Sequence, residues 1–204
     1  MKPKNLLFGI GVNDADYVKQ KFEALGYVDG KQKQKRVWIC PYYQTWKHML
    51  ERCYSARYQE LYPTYKGCTV SKEWLTFSNF KAWMEKQNFE GLQIDKDLLI
   101  VGNKVYSEDT CIFVSPMVNN FARDQGARRG GWLIGVSWNK EKAKFQAECS
   151  NPLTKKSNFL GYFTCEQQAH QAWLKRKNEL AHELAAIQTD SRVAEALLKR
   201  YSNH

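Results

Sequence analysis

Asp95 and Asp97 flank Lys96, and Glu108, Asp109 and Asn119 follow within a short stretch of chain. Carboxylate and amide oxygens are the hard donors that Mg2+ or Mn2+ takes, and if the fold gathered them the cation could polarise a phosphate and the water attacking it. Lys96 argues against that use. Its ammonium stays protonated at neutral pH unless strongly desolvated, its acidic neighbours hold it charged, and in that form it neither binds a metal nor accepts a proton. The sequence therefore favours the plainer alternative, a structural charge cluster on a strand, over a rearranged catalytic site. The four histidines, His48, His170, His182 and His204, stand away from this cluster in sequence, and a lone helical His is more often structural than catalytic. The six cysteines (Cys40, Cys53, Cys68, Cys111, Cys149, Cys165) form no Cys-x-x-Cys pair, so buried reduced thiols are expected rather than a zinc site.

A second chemistry is written in the last third of the chain. Trp132 to Trp138, Lys144 to Cys149 and Asn158 to Phe163 read as three short strands. A helix from Cys165 to Gln188 then turns Ala169, Ala172, Trp173, Leu180, Leu184 and Ile187 toward a core, and Ser191 to Tyr201 reads as a further helical segment. Alternation puts Val136, Trp138, Phe145, Ala147 and Cys149 on one side and Ser137, Asn139, Gln146, Glu148 and Ser150 on the other. A three-stranded sheet backed by one helix keeps one face free, and such a face fits the major groove of B-form DNA. Asn139 and Gln146 can pair bidentately with adenine, whereas Lys140, Lys142, Lys144, Lys155 and Lys156 suit phosphates. The competing reading of these lysines is solvated loop charge.

Other elements must position these groups. A short apolar strand-like segment opens the chain, Asp14 to Leu25 reads as a helix, and Lys31 to Arg36 as an exposed basic loop. Trp46, Met49, Leu50, Cys53 and Tyr54 recur at helical spacing between Tyr43 and Tyr54, and Trp74, Phe77, Phe80 and Met84 do so in a second helix with Ser71 as its cap. These aromatic stripes are core rather than a base-stacking platform. Ile94 to Ile100 and Thr110 to Val114 read as a strand pair around a Gly102-Asn103 turn, and Pro116 opens a helical segment carrying Asn119 and Asn120. The polar, glycine-rich stretch 123–131, with Arg128 and Arg129, reads as a linker, dividing the chain into 1–122, 123–131 and 132–204. The fold class is α+β.

The formal charge is +10, and more than half of that excess lies between Ala122 and His204, which points to a polyanionic partner. No run of about 18 apolar residues occurs, so a cytosolic protein with no membrane partner is expected.

The C-terminal stretch of about 131–178 resembles the Apetala-two-like DNA-binding domain of plant transcription factors and of phage and mobile-element endonucleases. The marks are Gly135-Val136-Ser137-Trp138-Asn139, Lys144-Phe145-Gln146-Ala147-Glu148, Leu160-Gly161-Tyr162-Phe163 and the helix start Glu166-Gln-Gln-Ala-His-Gln-Ala-Trp173. The plant relatives carry arginines on the open face where this chain has Ser137 and Asn139, so their sequence preference does not transfer. Residues from about 5 to 120 resemble phage-encoded proteins grouped with HNH homing-type endonucleases, through Cys40-Pro-Tyr-Tyr-Gln-Thr-Trp46, Pro63-Thr-Tyr-Lys-Gly-Cys68, Glu73-Trp-Leu-Thr-Phe-Ser-Asn-Phe80 and Asp95-Lys-Asp-Leu-Leu-Ile-Val-Gly-Asn-Lys-Val-Tyr106.

The second resemblance implies a ββα module around one Mg2+ or Mn2+, with Asp95, Lys96, Asp97 and Asn119 as catalytic positions and Asp95, Asp97 and Asn119 as metal ligands. The family's His after the Asp is Lys96 here, and Thr110 stands near its middle Asn, so two of the three signature positions are changed. Together the resemblances imply a phage or mobile-element protein in the cytoplasm of a bacterial host cell. It would bind double-stranded DNA through Arg128, Arg129, Ser137, Asn139, Lys140, Lys142, Lys144, Gln146, Glu148, Lys155 and Lys156, and either nick it or, as a degenerate nuclease, act as a structural or regulatory binder or an antagonist of a host DNA-processing protein.

Overall fold

The computed structural model describes residues 6–123 and 131–202 and has the expected mixed α+β composition. The chain divides into two compact units, one running to Phe113 and the other beginning at Val114. No helix among the described residues is long and apolar enough to cross a membrane.

In the first unit, β1 (Gln20–Val28) and β2 (Lys31–Ile39) form an antiparallel hairpin. This replaces both the helix expected over Asp14 to Leu25 and the basic loop expected over Lys31 to Arg36. The reason lies in Asp29 and Gly30, both at positive φ (50° and 71°), the pair that a two-residue turn matched to strand twist requires. Phe22, Tyr27, Val28, Val37, Trp38 and Ile39 add strand preference on both sides of that turn.

The core of this unit is aromatic. Helix α1 (Pro41–Tyr54) starts with Pro41, whose missing N–H costs nothing in the first turn, and buries Tyr43, Trp46, Met49, Leu50 and Cys53. After α2 (Ala56–Leu61) and β3 (Thr69–Val70), α3 (Phe77–Met84) buries Phe77, Phe80, Trp83 and Met84 against it. Trp46 donates its indole N–H to the Trp74 carbonyl at 2.7 Å, so this fully buried ring leaves no donor unpaired. The stripes are core, as expected.

Strand β4 (Gln93–Asp95) pairs with β6 (Ile112–Val114), while β5 (Val105–Tyr106), which lies between them in sequence, pairs in parallel with β3. The strand expected to run to Ile100 stops at Asp95. The Asp95 carboxylate accepts the backbone N–H groups of Asp97 at 2.8 Å and Leu98 at 2.6 Å, which folds the chain into a turn.

The second unit begins with α4 (Pro116–Ala122), capped by Ser115, whose hydroxyl accepts from Val118 N. Strands β7 (Val136–Asn139), β8 (Lys144–Asn151) and β9 (Lys156–Phe163) form the expected three-stranded antiparallel sheet in sequential order. The long helix α5 (Glu166–Ala185) covers one face, with Ala169 and Ala172 allowing close approach to Val136 and Ala147. Helix α6 (Ser191–Tyr201), capped by Asp190, packs on α5.

Candidate nucleic-acid interface

The face of the sheet away from α5 is open. Ser137 pairs with Gln146 and Gln146 with Tyr162; Asn139 pairs with Lys144, Glu148 with Phe159, and Ser150 with Ser157, so these residues share that side. A row of hydrogen bonds crosses it. Asn139 donates to Gln146 Oε1 at 3.1 Å, Gln146 donates to Glu148, and Ser157 donates to the other Glu148 oxygen at 3.2 Å. Amides and carboxylate are thereby held at defined orientations on rigid strands, which is what base-edge recognition demands. The expected Ser137, Asn139, Gln146 and Glu148 are thus brought together.

The lysines stand at the two ends of this row. Lys140 and Lys142 lie in the β7–β8 turn beside Lys144, where Lys142 N donates to Asn139 Oδ1 at 3.0 Å. Lys155 lies in the β8–β9 turn and Lys156 opens β9 opposite Asn151, on the side of Ala147 and Cys149 and not on the open face; all five are exposed. The eight residues of β8 separate the two clusters by about 25 Å at roughly 3.3 Å per residue, wide enough for a major groove of about 12 Å and its flanking phosphates. Arg128 and Arg129 lie outside the described residues.

Two aromatic side chains on this face are not evident from the sequence pattern. Phe159 is 55% exposed and Tyr162 41%, and their rings meet edge to face at 5.0 Å. Plain alternation puts Phe159 on the same side as Phe163, but the register slips between Ala147 and Glu148, opposite Gly161 at φ 129°. The slip turns Phe159 outward to oppose Glu148. Gly161 inside a strand pattern is the available signal, since glycine there marks a bulge.

The acidic cluster of the first unit is built differently. Lys96 is 7% exposed, and its ammonium donates to the Asn103 carbonyl and to Asp97 Oδ2, each at 3.0 Å. Asn103 answers with its amide on the Lys96 and Val105 carbonyls, at 2.6 and 2.7 Å. Thr110, near the expected middle Asn, donates to the Val105 carbonyl and accepts from Ser107 N, a turn contact. A divalent cation does not fit this arrangement, because one Asp95 oxygen caps a turn and an ammonium sits on the Asp97 carboxylate. Asn119 lies in α4. Among the described residues, no three His, Cys, Asp or Glu side chains converge in a metal-binding group. All six cysteines are free thiols, and burial pushes those of Cys53 and Cys111 up to about 12.

Burial, followed by the charge of Asp97, raises the Asp95 pKa despite its two backbone hydrogen bonds. A carboxyl that holds its proton more tightly when folded contributes stability that is present below its unfolded pKa and lost as pH rises through the folded one. Asp95→Asn keeps the accepting oxygen and removes the charge. It is therefore expected to melt at or above the wild-type temperature at pH 7, with the advantage shrinking toward about pH 4, near the unfolded carboxyl value. A variant that melts well below wild type at pH 7 would show that the charge itself holds the turn.

No family model, no curated protein and no solved structure matches this chain.

Proposed function

We propose that this chain binds double-stranded DNA by laying the open face of the β7–β8–β9 sheet in the major groove. One observation carries this reading: a rigid row of hydrogen-bonding side chains, Asn139, Gln146, Glu148 and Ser157, bracketed at both ends by exposed lysines. Base edges are read by amides and carboxylates of this kind, and phosphates are held by the lysines on either side. The internal bonds of Asn139 and Gln146 keep their amides oriented before DNA arrives, which lowers the ordering cost of binding. Glu148 suits the amino group of cytosine and would repel a misplaced phosphate, so it sets register as well as sequence.

The phage or mobile-element origin rests on the sequence resemblances alone, and on this reading the Asp95-Lys96-Asp97 cluster staples a loop instead of cutting DNA. Support comes from the commitment of Asp95 and Lys96 to internal hydrogen bonds. Plasmid incubated with Mg2+ or Mn2+ is expected to remain supercoiled, and metal-dependent nicks that disappear in Asp95→Asn would restore the catalytic reading.

The binding test uses fluorescence anisotropy on duplexes selected from a random library. Asn139→Ala or Gln146→Ala is expected to relax preference at one or two base pairs, each at a cost of about 1–3 kcal/mol. Lys140→Gln with Lys142→Gln should weaken all sequences alike and reduce the salt slope by about 0.9 for each phosphate no longer neutralised. Unchanged affinity, preference and salt slope in all of these variants would remove the sheet from the interface.

A further inference from the structure

We propose that the β1–β2 hairpin is a second duplex-DNA contact, an arm that lays a row of lysines along one phosphate backbone. This inference rests on the DNA-binding reading above but uses none of its residues. Every residue from Lys21 to Trp38 is exposed, so neither face of the ribbon is covered. A two-stranded hairpin is at best marginally stable in water by itself, and this one keeps Phe22, Leu25, Tyr27, Val28, Val37 and Trp38 in solvent, Tyr27 at 74% exposure. A surface of that kind is built for a partner.

Charge identifies the partner. Between Lys19 and Ile39 there are six Lys and Arg residues against Glu23 and Asp29. The register puts Lys31 opposite Val28, Lys33 opposite Gly26 and Lys35 opposite Glu23, and beyond a bulge Lys21 lies opposite Trp38, its ammonium 5.7 Å from the indole. Lys31, Lys33 and Lys35 alternate along β2 and so share one face, about 6.8 Å apart, twice the rise of about 3.4 Å per phosphate of one DNA strand. The other face carries Tyr27 with Gln32, Ala24 with Gln34 and Phe22 with Arg36. With the lysine face laid on the backbone, the face of Gln32, Gln34 and Arg36 points away from that contact, so the arm adds affinity without reading bases.

The test uses the full chain and Lys31→Gln/Lys33→Gln/Lys35→Gln, substitutions at exposed positions that leave the strand backbone intact, with circular dichroism to verify folding. Affinity for a random duplex is measured from low to moderate salt. The arm predicts at least about a tenfold drop in affinity and a salt slope shallower by up to about 2.7, since each phosphate no longer neutralised removes about 0.9. A triple variant that matches wild type in affinity and slope overturns the arm and leaves the sheet reading standing. Weaker binding in the triple variant with no change in the sheet variants supports the arm and overturns the sheet. A wild-type chain that fails to bind duplex overturns both. If the lysines are needed for binding polyglutamate but not duplex, the arm docks on an acidic protein surface and the DNA inference falls.

Discussion

Gly135→Ala is expected to cost the second unit at least about 3 kcal/mol, because two penalties fall on one methyl group. Gly135 sits at φ 79°, the left-handed region, and a Cβ built on it would stand 2.0 Å from Cδ1 and 2.1 Å from Cγ of the Trp173 indole. The ring has little room to yield. It stacks on His170 at 5.7 Å, and a His170 ring nitrogen is bonded to the Ile134 carbonyl at 2.8 Å, so the indole, the imidazole and the turn before β7 are fixed together. Urea unfolding and near-ultraviolet dichroism of the tryptophans would measure the destabilisation. If the collision dominates, Trp173→Ala should make the glycine substitution cheaper, a coupling that a double-mutant cycle detects. A cost under about 1 kcal/mol would mean that the turn relaxes more easily than its contacts imply.

The same packing explains why the C-terminal sheet is legible in sequence. Val136, Ala147, Cys149 and Ala169 alternate or recur at the right periods and are all buried, so pattern and packing agree. The N-terminal arm defeats pattern reading for the opposite reason. From Lys21 to Trp38 it buries nothing, so no apolar face rewards a period of two, and the run Lys31 to Arg36 looks like loop by composition alone. The available signal is local, Asp29-Gly30 between Val28 and Lys31.

Lys96 is legible only in part. Its sequence neighbours suggest a charge cluster, but the ammonium's carbonyl partner is Asn103, seven residues on, and no periodicity announces a loop closed by reciprocal side-chain and backbone bonds. The open face is legible as a set of residues but not as a connected row. The links from Asn139 to Gln146, Glu148 and Ser157 depend on cross-strand register, which a one-residue slip reassigns, as the outward turn of Phe159 demonstrates.

Lys177 is the second place where a single side chain carries a large effect, here one that depends on pH. Its ammonium donates to the Phe121 carbonyl at 2.8 Å and lies 3.5 Å from the centre of the Phe121 ring, with the Tyr201 and Trp173 rings at 5.5 and 5.7 Å. The Tyr201 hydroxyl donates to the same carbonyl at 3.2 Å, so α4, α5 and α6 meet at one oxygen. Aromatic faces and a carbonyl favour the cation, yet desolvation outweighs them and pushes the Lys177 pKa down to about 8. Below about 8 the folded and unfolded chains both hold the proton, and the fold bears the cost of the buried charge. Between about 8 and 10.5 the folded lysine loses its proton while the unfolded one keeps it, so this group's contribution to stability rises with pH. At about 1.4 kcal/mol for each tenfold change in proton affinity, the gain across the whole window is about 3.5 kcal/mol. Cys149 opposes it, since burial raises that thiol's pKa and its unfolded form ionises first as pH climbs. Because Lys177 itself lowers the Cys149 pKa, the lysine is isolated by comparing Cys149→Ala with Cys149→Ala/Lys177→Met, from both of which the thiol is absent. Relative to the double variant, Cys149→Ala is expected to gain about 2 kcal/mol between pH 7.5 and pH 10 in urea unfolding. Parallel pH profiles for the two proteins would show that the ammonium is hydrated and that the three helices meet without burying a charge.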